Sequence, residues 1–240
     1  MTVTWEDLGW ERLAEGVGRC RLPGWDCTVG LVLGVGTALV VDAGSGLAEG
    51  AGLRAAVRRL AGRDVTHLAL THPHFDHVLG APAFAGAEVY GAVGLDVVLA
   101  HEREPLRRDA VGHGVPAGEA EAAVRALLPP AHLVSGEWTL DLGGGRQALL
   151  ANVGPAHTAH DLAVLVPGSP EVVFCGDLVE ESGEPQAGPD AVPSRWPAAL
   201  DRLLALGGED ALYVPGHGAV VDAAFVRRQR DALAARFGVS

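Results

Sequence analysis

"THPHFDHVLG", residues 71–80, sets His72, His74, Asp76 and His77 in one short stretch directly behind the apolar run "VTHLAL" (65–70). That run reads as a short buried strand, and ligands collect at the C-terminal ends of strands in α/β sheets. Histidines at i and i+2 on a strand-end loop turn two imidazoles toward one ion. Asp76 and His77, where the chain enters its next segment, reach a second ion beside it. Zinc accepts nitrogen and carboxylate donors, and a hydrolytic zinc site keeps one position open for water. A pH-sensitive patch and an accident of composition are the rival readings, although a chance H-x-H-x-D-H is improbable even among ten histidines. Neither of those predicts further ligands elsewhere.

Further ligands do follow. His157 comes after the strand pattern "QALLANV" (147–153), Asp177 ends "EVVFCGD" (171–177), and His217 closes "ALYVPGHG" (211–218). Each alone reads as a capping or surface residue. Together with the first cluster they supply a full two-metal set, with a reasonable division into His72, His74 and His157 for one ion, Asp76, His77 and His217 for the other, and Asp177 between them.

The remaining pattern is that of a layered α/β fold. "CTVGLVLGVGTALVVDAGSG" (27–46) reads as two strands around the Gly34-Val35-Gly36 turn, the second ending at Asp42. Leu53, Val57 and Leu60 recur at helical spacing over 49–62. A strand is expected near 87–92, helices over about 93–102, 194–206 and 222–237, and further strands at "GEWTLDLGG" and "LAVLVPG". Residues 103–130 are richer in charge, Pro and Gly and read as a helical insertion, with one helix at 117–128, inside a single domain spanning 1–240. Arg103, Arg107 and Arg108 alternate there with Glu102, Glu104 and Asp109, as on a solvated face.

Composition narrows the partners. The net charge of −12 leaves no excess of cations to neutralise phosphates, which argues against nucleic acid and anionic membranes. All 18 basic residues are arginine, so lysine Schiff-base chemistry is excluded. Cys20, Cys27 and Cys175 are odd in number, lack C-x-x-C spacing and read as reduced thiols, Cys175 as a buried core thiol on the same strand face as Asp177. With no basic region leading an apolar stretch and no long apolar window, a cytoplasmic protein is expected.

The signature H-x-H-x-D-H at 72–77, with the later isolated His157, Asp177 and His217, resembles the metallo-β-lactamase-fold hydrolases, and within them the glyoxalase II-like and lactonase-like branch. The resemblance runs over about residues 17–220. It implies a four-layer αββα sandwich with two metals at one edge, Zn2+ or else Fe or Mn, and the ligand division given above. Asp42-Ala43-Gly44 matches the family's Asp-x-Gly turn, which implies a supporting role for Asp42 behind the metals. Two divalent cations outweigh Asp76, Asp177 and a bridging hydroxide, so hydrolysis of a small-molecule thioester, lactone or similar ester-type bond is the expected reaction. Asp76 is the candidate for orienting the hydroxide or passing a proton. His160, Glu180, Glu181, Arg195 and Trp196 are substrate-side or supporting candidates, the last four because the Pro/Gly-rich loop 179–196 follows Asp177.

A glutathione-thioester hydrolase proper is less expected, because only about 20 residues follow His217 where that branch adds a helical region. Asp177 stands where some true β-lactamases carry a cysteine, and neither Tyr90 nor Tyr213 clearly matches the pocket tyrosine of quorum-signal lactonases. The competing class is an iron-dependent sulfur oxidoreductase resembling persulfide dioxygenases, which keep a similar first motif. A homodimer is a further expectation from the family.

Overall fold

The computed structural model describes residues 3–239. Seven strands form the first sheet in sequential order: β1 (Glu11–Ala14), β2 (Val17–Arg21), β3 (Thr28–Leu33), β4 (Ala38–Val41), β5 (His67–Ala69), β6 (Glu88–Ala92) and β7 (His132–Val134). The first four pair antiparallel and the last three join in parallel, each parallel step needing a crossover. The second sheet holds β8 (Glu137–Asp141), β9 (Gln147–Asn152), β10 (Leu162–Val166), β11 (Val172–Glu180) and β12 (Leu212–His217) in the order β12-β11-β10-β9-β8.

Period-2 alternation sorts the apolar side chains into three layers. Val32, Leu39, Val41 and Ala69 of the first sheet meet Leu150, Leu162, Val164, Val172 and Phe174 of the second. The alternate residues Val29, Leu31, Val40 and Leu68 face outward and are covered by Leu53 and Val57 of α1 (Leu47–Ala61) and by Ala120, Ala123 and Val124 of α5 (Ala117–Ala126). On the far side, Ala163, Leu165, Val173 and Cys175 pack under α6 (Trp196–Gly207) and α7 (Ala223–Phe237). Helix, sheet, sheet, helix is the four-layer αββα sandwich. Gly30 interrupts the run of β-branched residues in β3 because a Cβ there would come within 2.5 Å of the Phe174 ring across the sandwich.

Two expectations change. The segment 103–130 carries two helices rather than one, α4 (Arg103–Gly112) joining α5 and following α3 (Leu95–His101). α4 fully buries only Ala110, so almost no apolar periodicity marks it, and its Pro105 sits in the first turn, where proline is tolerated. Strand β11 runs past Asp177 to Glu180, and its pairing with β12 slips on both sides of Gly176, whose φ is +53. That bulge breaks the alternation. Cys175 therefore faces the α6–α7 side with Val173, while Asp177 is turned toward the sheet edge.

Candidate metal centre

The C-terminal ends of β4 and β5 are locked together before the histidine loop begins. Asp42 follows β4 at φ +64, a left-handed conformation that aspartate adopts more readily than most residues. Its carboxylate accepts hydrogen bonds from the Thr71 backbone N–H and the Thr71 hydroxyl, both at 2.8 Å. It also accepts one from His77 Nδ1 at 2.9 Å. The short helix α2 (Phe75–Val78) then opens with His74 at its N-cap. His74 thus lies in extended backbone after a bend at His72 and Pro73, while Asp76 and His77 lie in a helical turn. This break in backbone direction is what aims the two halves of the motif differently.

Three more residues of the sequence motif set, His157, Asp177 and His217, arrive from the second sheet and its loops. The Asp177 carboxylate lies 3.6 Å from His72 Nε2, 3.5 Å from His157 Nε2, 3.2 Å from His77 Nε2 and 3.4 Å from His217 Nε2. Asp76 Oδ2 is 3.5 Å from His77 Nε2 and 3.2 Å from His217 Nε2. His74 presents Nδ1, 3.0 Å from His157 Nε2. Two groups of donors are close enough to hold an ion each: His72, His74, His157 and Asp177, and His77, Asp177 and His217 with Asp76 beside them. Asp177 belongs to both.

The outer nitrogens of these imidazoles are all committed. His72 Nδ1 meets the Thr71 hydroxyl at 2.9 Å, and His74 Nε2 donates to Asp190 at 3.1 Å. His157 Nδ1 donates to the Gln186 carbonyl at 3.1 Å, and His217 Nδ1 to the Trp25 carbonyl at 2.8 Å. With these protons held outside, lone pairs point inward at one another: His74 against His157, and His77 against His217 across 3.4 Å. His72 Nε2 and Asp177 Oδ1 are buried with no hydrogen-bond partner. Such buried, unpartnered acceptors are costly unless a cation satisfies them. The donor set fits divalent metal ions.

Electrostatics point the same way. Burial alone would raise the Asp177 and Asp76 carboxyls, but the surrounding imidazoles outweigh it and hold both low. Burial would likewise lower His217, yet hydrogen bonds to Asp177 and Asp76 push it up to about 12. His77 is raised for a similar reason, its burial being overcome by Cys27, Asp177, Asp76 and Asp42. Burial dominates at His72, which is pushed well down, and at His157, lowered to about 4. The pocket between the carboxylates thus favours positive charge, while the neutral imidazoles on its other side keep their lone pairs free for a metal.

A cavity of about 700 Å³ opens above this centre, bounded by α3–α4 on one part of its wall and by the 180–190 loop on another. Glu180 lines it, half-buried, with its carboxyl raised by that burial. Glu181 instead accepts from the Ala219 N–H. Three other candidates are not among the residues that line this cavity. His160 turns away to the Val93 carbonyl, Arg195 projects from an exposed 3-10 turn, and Trp196 is 0 % exposed. Trp196 donates to the Leu178 carbonyl and packs edge-on against His157 at 5.4 Å, so it props that imidazole from behind. Asp190, the Gln186 and Trp25 carbonyls and Thr71 were not anticipated from sequence. Only Thr71, adjacent to the motif, carried a local signal.

Residues 22–217 match the Metallo-beta-lactamase superfamily. The chain belongs to that superfamily. Solved structures agree with the fold: a metallo-beta-lactamase from Pontibacter korlensis superposes with a TM-score of 0.73 at 20 % identity, over 93 % of this chain and 97 % of that one. DIM-1 metallo-beta-lactamase gives 0.73 at 18 % identity, over 95 % and 97 %. FIM-1 from Pseudomonas aeruginosa, solved in a mono-zinc form, gives 0.69 at 19 % identity, over 96 % of each. Within the metallo-beta-lactamase fold the seven donors stand where the two sheets meet at one edge, and no helix among the described residues is long and apolar enough to cross a membrane.

Proposed function

We propose that the chain is a dinuclear metal-dependent hydrolase of a small-molecule ester-type bond, a thioester or lactone being the preferred class. The observation that carries this reading is the Asp177 carboxylate, which faces histidines of both donor groups within 3.2–3.6 Å. A carboxylate so placed serves two ions at once. His72, His74 and His157 would hold one, and Asp76, His77 and His217 the other. Zinc, or else iron or manganese, would supply Lewis acidity there, lowering the pKa of water to about 7 and polarising the carbonyl under attack.

The chain's own residues supply the rest. Asp76 lines the cavity as well as facing His77 and His217, so its carboxylate is placed to accept a hydrogen bond from the attacking water and orient it. The same oxygen is the group nearest to hand for carrying that proton toward a leaving group. Thr71 and Asp42 hold His72 and His77 in register, and Asp190 holds His74. Such outer partners fix ring orientation and raise ligand basicity.

A second reading has one observation in its favour. His72, His157 and Asp177 form a two-histidine, one-carboxylate set of the kind that binds a single non-haem iron, as an iron-dependent sulfur oxidoreductase would need. It gives no role to His74, which stands in the same donor group, nor to Asp76, His77 and His217. Metal analysis of protein purified without added metal separates the two. Two zinc ions per chain and turnover of thioesters, lactones or a chromogenic cephalosporin, falling to the metal-free level in Asp177→Ala, are expected. One iron per chain with oxygen uptake, or hydrolysis that survives Asp177→Ala, overturns the hydrolase reading.

A further inference from the structure

The cavity above the metal centre is acidic to an extent that the metal ligands do not explain. Beyond Asp76 and Asp177, its wall carries Glu102, Asp109, Glu180, Glu184 and Asp190. No arginine lines it among the described residues, and the chain has no lysine. The nearby arginines are engaged elsewhere. Arg103 donates to the Leu99 and Leu127 carbonyls, and Arg107 and Arg108 pair with Glu104. Glu102 and Glu184, which come from different walls, have no side-chain hydrogen bond or ion pair among the described residues, and Asp109 has only His113 at 3.3 Å. Even with two divalent cations bound, the carboxylates of the cavity outnumber the positive charges.

Two further features show that the cavity is shaped for a ligand. Its floor is the metal centre, with Asp76, Asp177 and His217 reaching the cavity, so a bound molecule lies against the reacting groups. Its side holds an aromatic wall: Trp25 meets Phe75 edge-on at 5.3 Å, and His113 stacks on Phe75 at 5.3 Å. Leu106 and Val98 add apolar surface. A half-buried tryptophan beside unpaired carboxylates is the environment in which an organic ammonium is held by both ring face and charge.

Resting on the hydrolase reading, we infer that this cavity selects substrates whose non-reacting part is an organic cation with apolar bulk, and rejects those carrying a carboxylate or other anion there. Away from the metal centre, anionic groups entering the cavity meet a focused field of their own sign with no arginine or lysine on the wall to answer it. Specificity here is as much repulsion of the anion as attraction of the cation.

The test uses the zinc-loaded protein and two readouts. Binding is measured by calorimetry with phenyltrimethylammonium, tert-butylbenzene and benzenesulfonate, the last a weak metal ligand. Turnover is measured with three thioacetates that share one acyl group: acetylthiocholine, its neutral 3,3-dimethylbutyl isostere, and 3-(acetylthio)propanesulfonate. The expected order in both is cation, neutral, anion, with kcat/KM differing by about tenfold or more between the ends, a ratio that shrinks at high salt. Replacing the two unpaired carboxylates together, in Glu102→Gln/Glu184→Gln, should compress that ratio by about threefold or more. Equal rates for all three thioesters, or a preference for the anion, overturn the inference and leave the hydrolase reading standing. Ammonium binding that depends on Glu102 and Glu184, with no hydrolysis of any ester in the wider panel, upholds the charge selection and sinks the hydrolase reading instead.

Discussion

At the residue scale, the centre depends on a carboxylate that touches no metal position. Asp42 receives both donors of Thr71 and the Nδ1 proton of His77, and Thr71 in turn meets His72, so one side chain orients a histidine in each donor group. Asp42→Asn keeps a residue that tolerates positive φ but gives up one acceptor and the charge. Metal affinity should fall by about 10–100-fold with the fold retained, read by competition with a chromophoric chelator and by circular dichroism. Unchanged affinity would mean that the imidazoles are held by packing alone. The seven donors themselves were legible because H-x-H-x-D-H and three strand-end residues are local patterns. Asp190, over a hundred positions from the His74 it holds, and the carbonyls of Gln186 and Trp25 were not. Their partnership is created by the meeting of loops, and backbone carbonyls leave no mark in a side-chain pattern.

At the element scale, the helix that carries Asp76 and His77 is pinned by close backbone approach. A Cβ on Gly50 of α1 would come within 2.3 Å of the Gly80 carbonyl oxygen, and one on Gly80 within 1.9 Å of the Ala43 oxygen. Backbone on the other side cannot yield as a side chain would. Gly50→Ala should therefore destabilise the protein by about 1–3 kcal/mol despite the better helix propensity of alanine, seen as a lower urea midpoint with the slope unchanged. A gain in stability would show that α1 shifts freely. A second tie on α1 is pH-dependent. Arg54 holds the Asp64 carboxyl down at about 2, chiefly through their hydrogen bonds. A depressed carboxyl contributes stability above its unfolded pKa of about 3.9, and that contribution is lost as pH falls toward 2. For a pair this exposed it amounts to about 1 kcal/mol or less. Asp64→Asn should lower Tm at pH 6 and converge with the parent near pH 2. The elements least visible beforehand were α4 and the bulge of β11. One buries too little to show a period, and the other depends on Gly176 passing beneath Thr71, where a Cβ would lie 2.8 Å from the hydroxyl.

At the scale of the whole molecule, the centre joins the two halves of the sandwich at one edge, beside a few backbone ties such as Leu162 N–H to the Thr71 carbonyl. His72, His74, Asp76 and His77 hang from the first sheet, Asp177 and His217 from the second, and His157 from the loop after β9. Under the proposed function, ions shared by these groups would bind the folded chain and not the unfolded one, and would act as a clasp between the sheets whose strength follows mass action. At free zinc a thousand times its dissociation constant, the gain is about 4 kcal/mol per site. In a chain of this length each kcal/mol moves Tm by roughly 2–4 °C. Chelation should therefore lower Tm by about 10 °C or more, reversibly on returning zinc. In Asp177→Ala the same chelation should move Tm less than half as far, because the residue facing both donor groups is gone. A parent whose Tm ignores chelation, although metal analysis finds its ions removed, would show that the sandwich core alone fixes the edge. The donors would then be assembled by the fold, and the metal would contribute chemistry without stability.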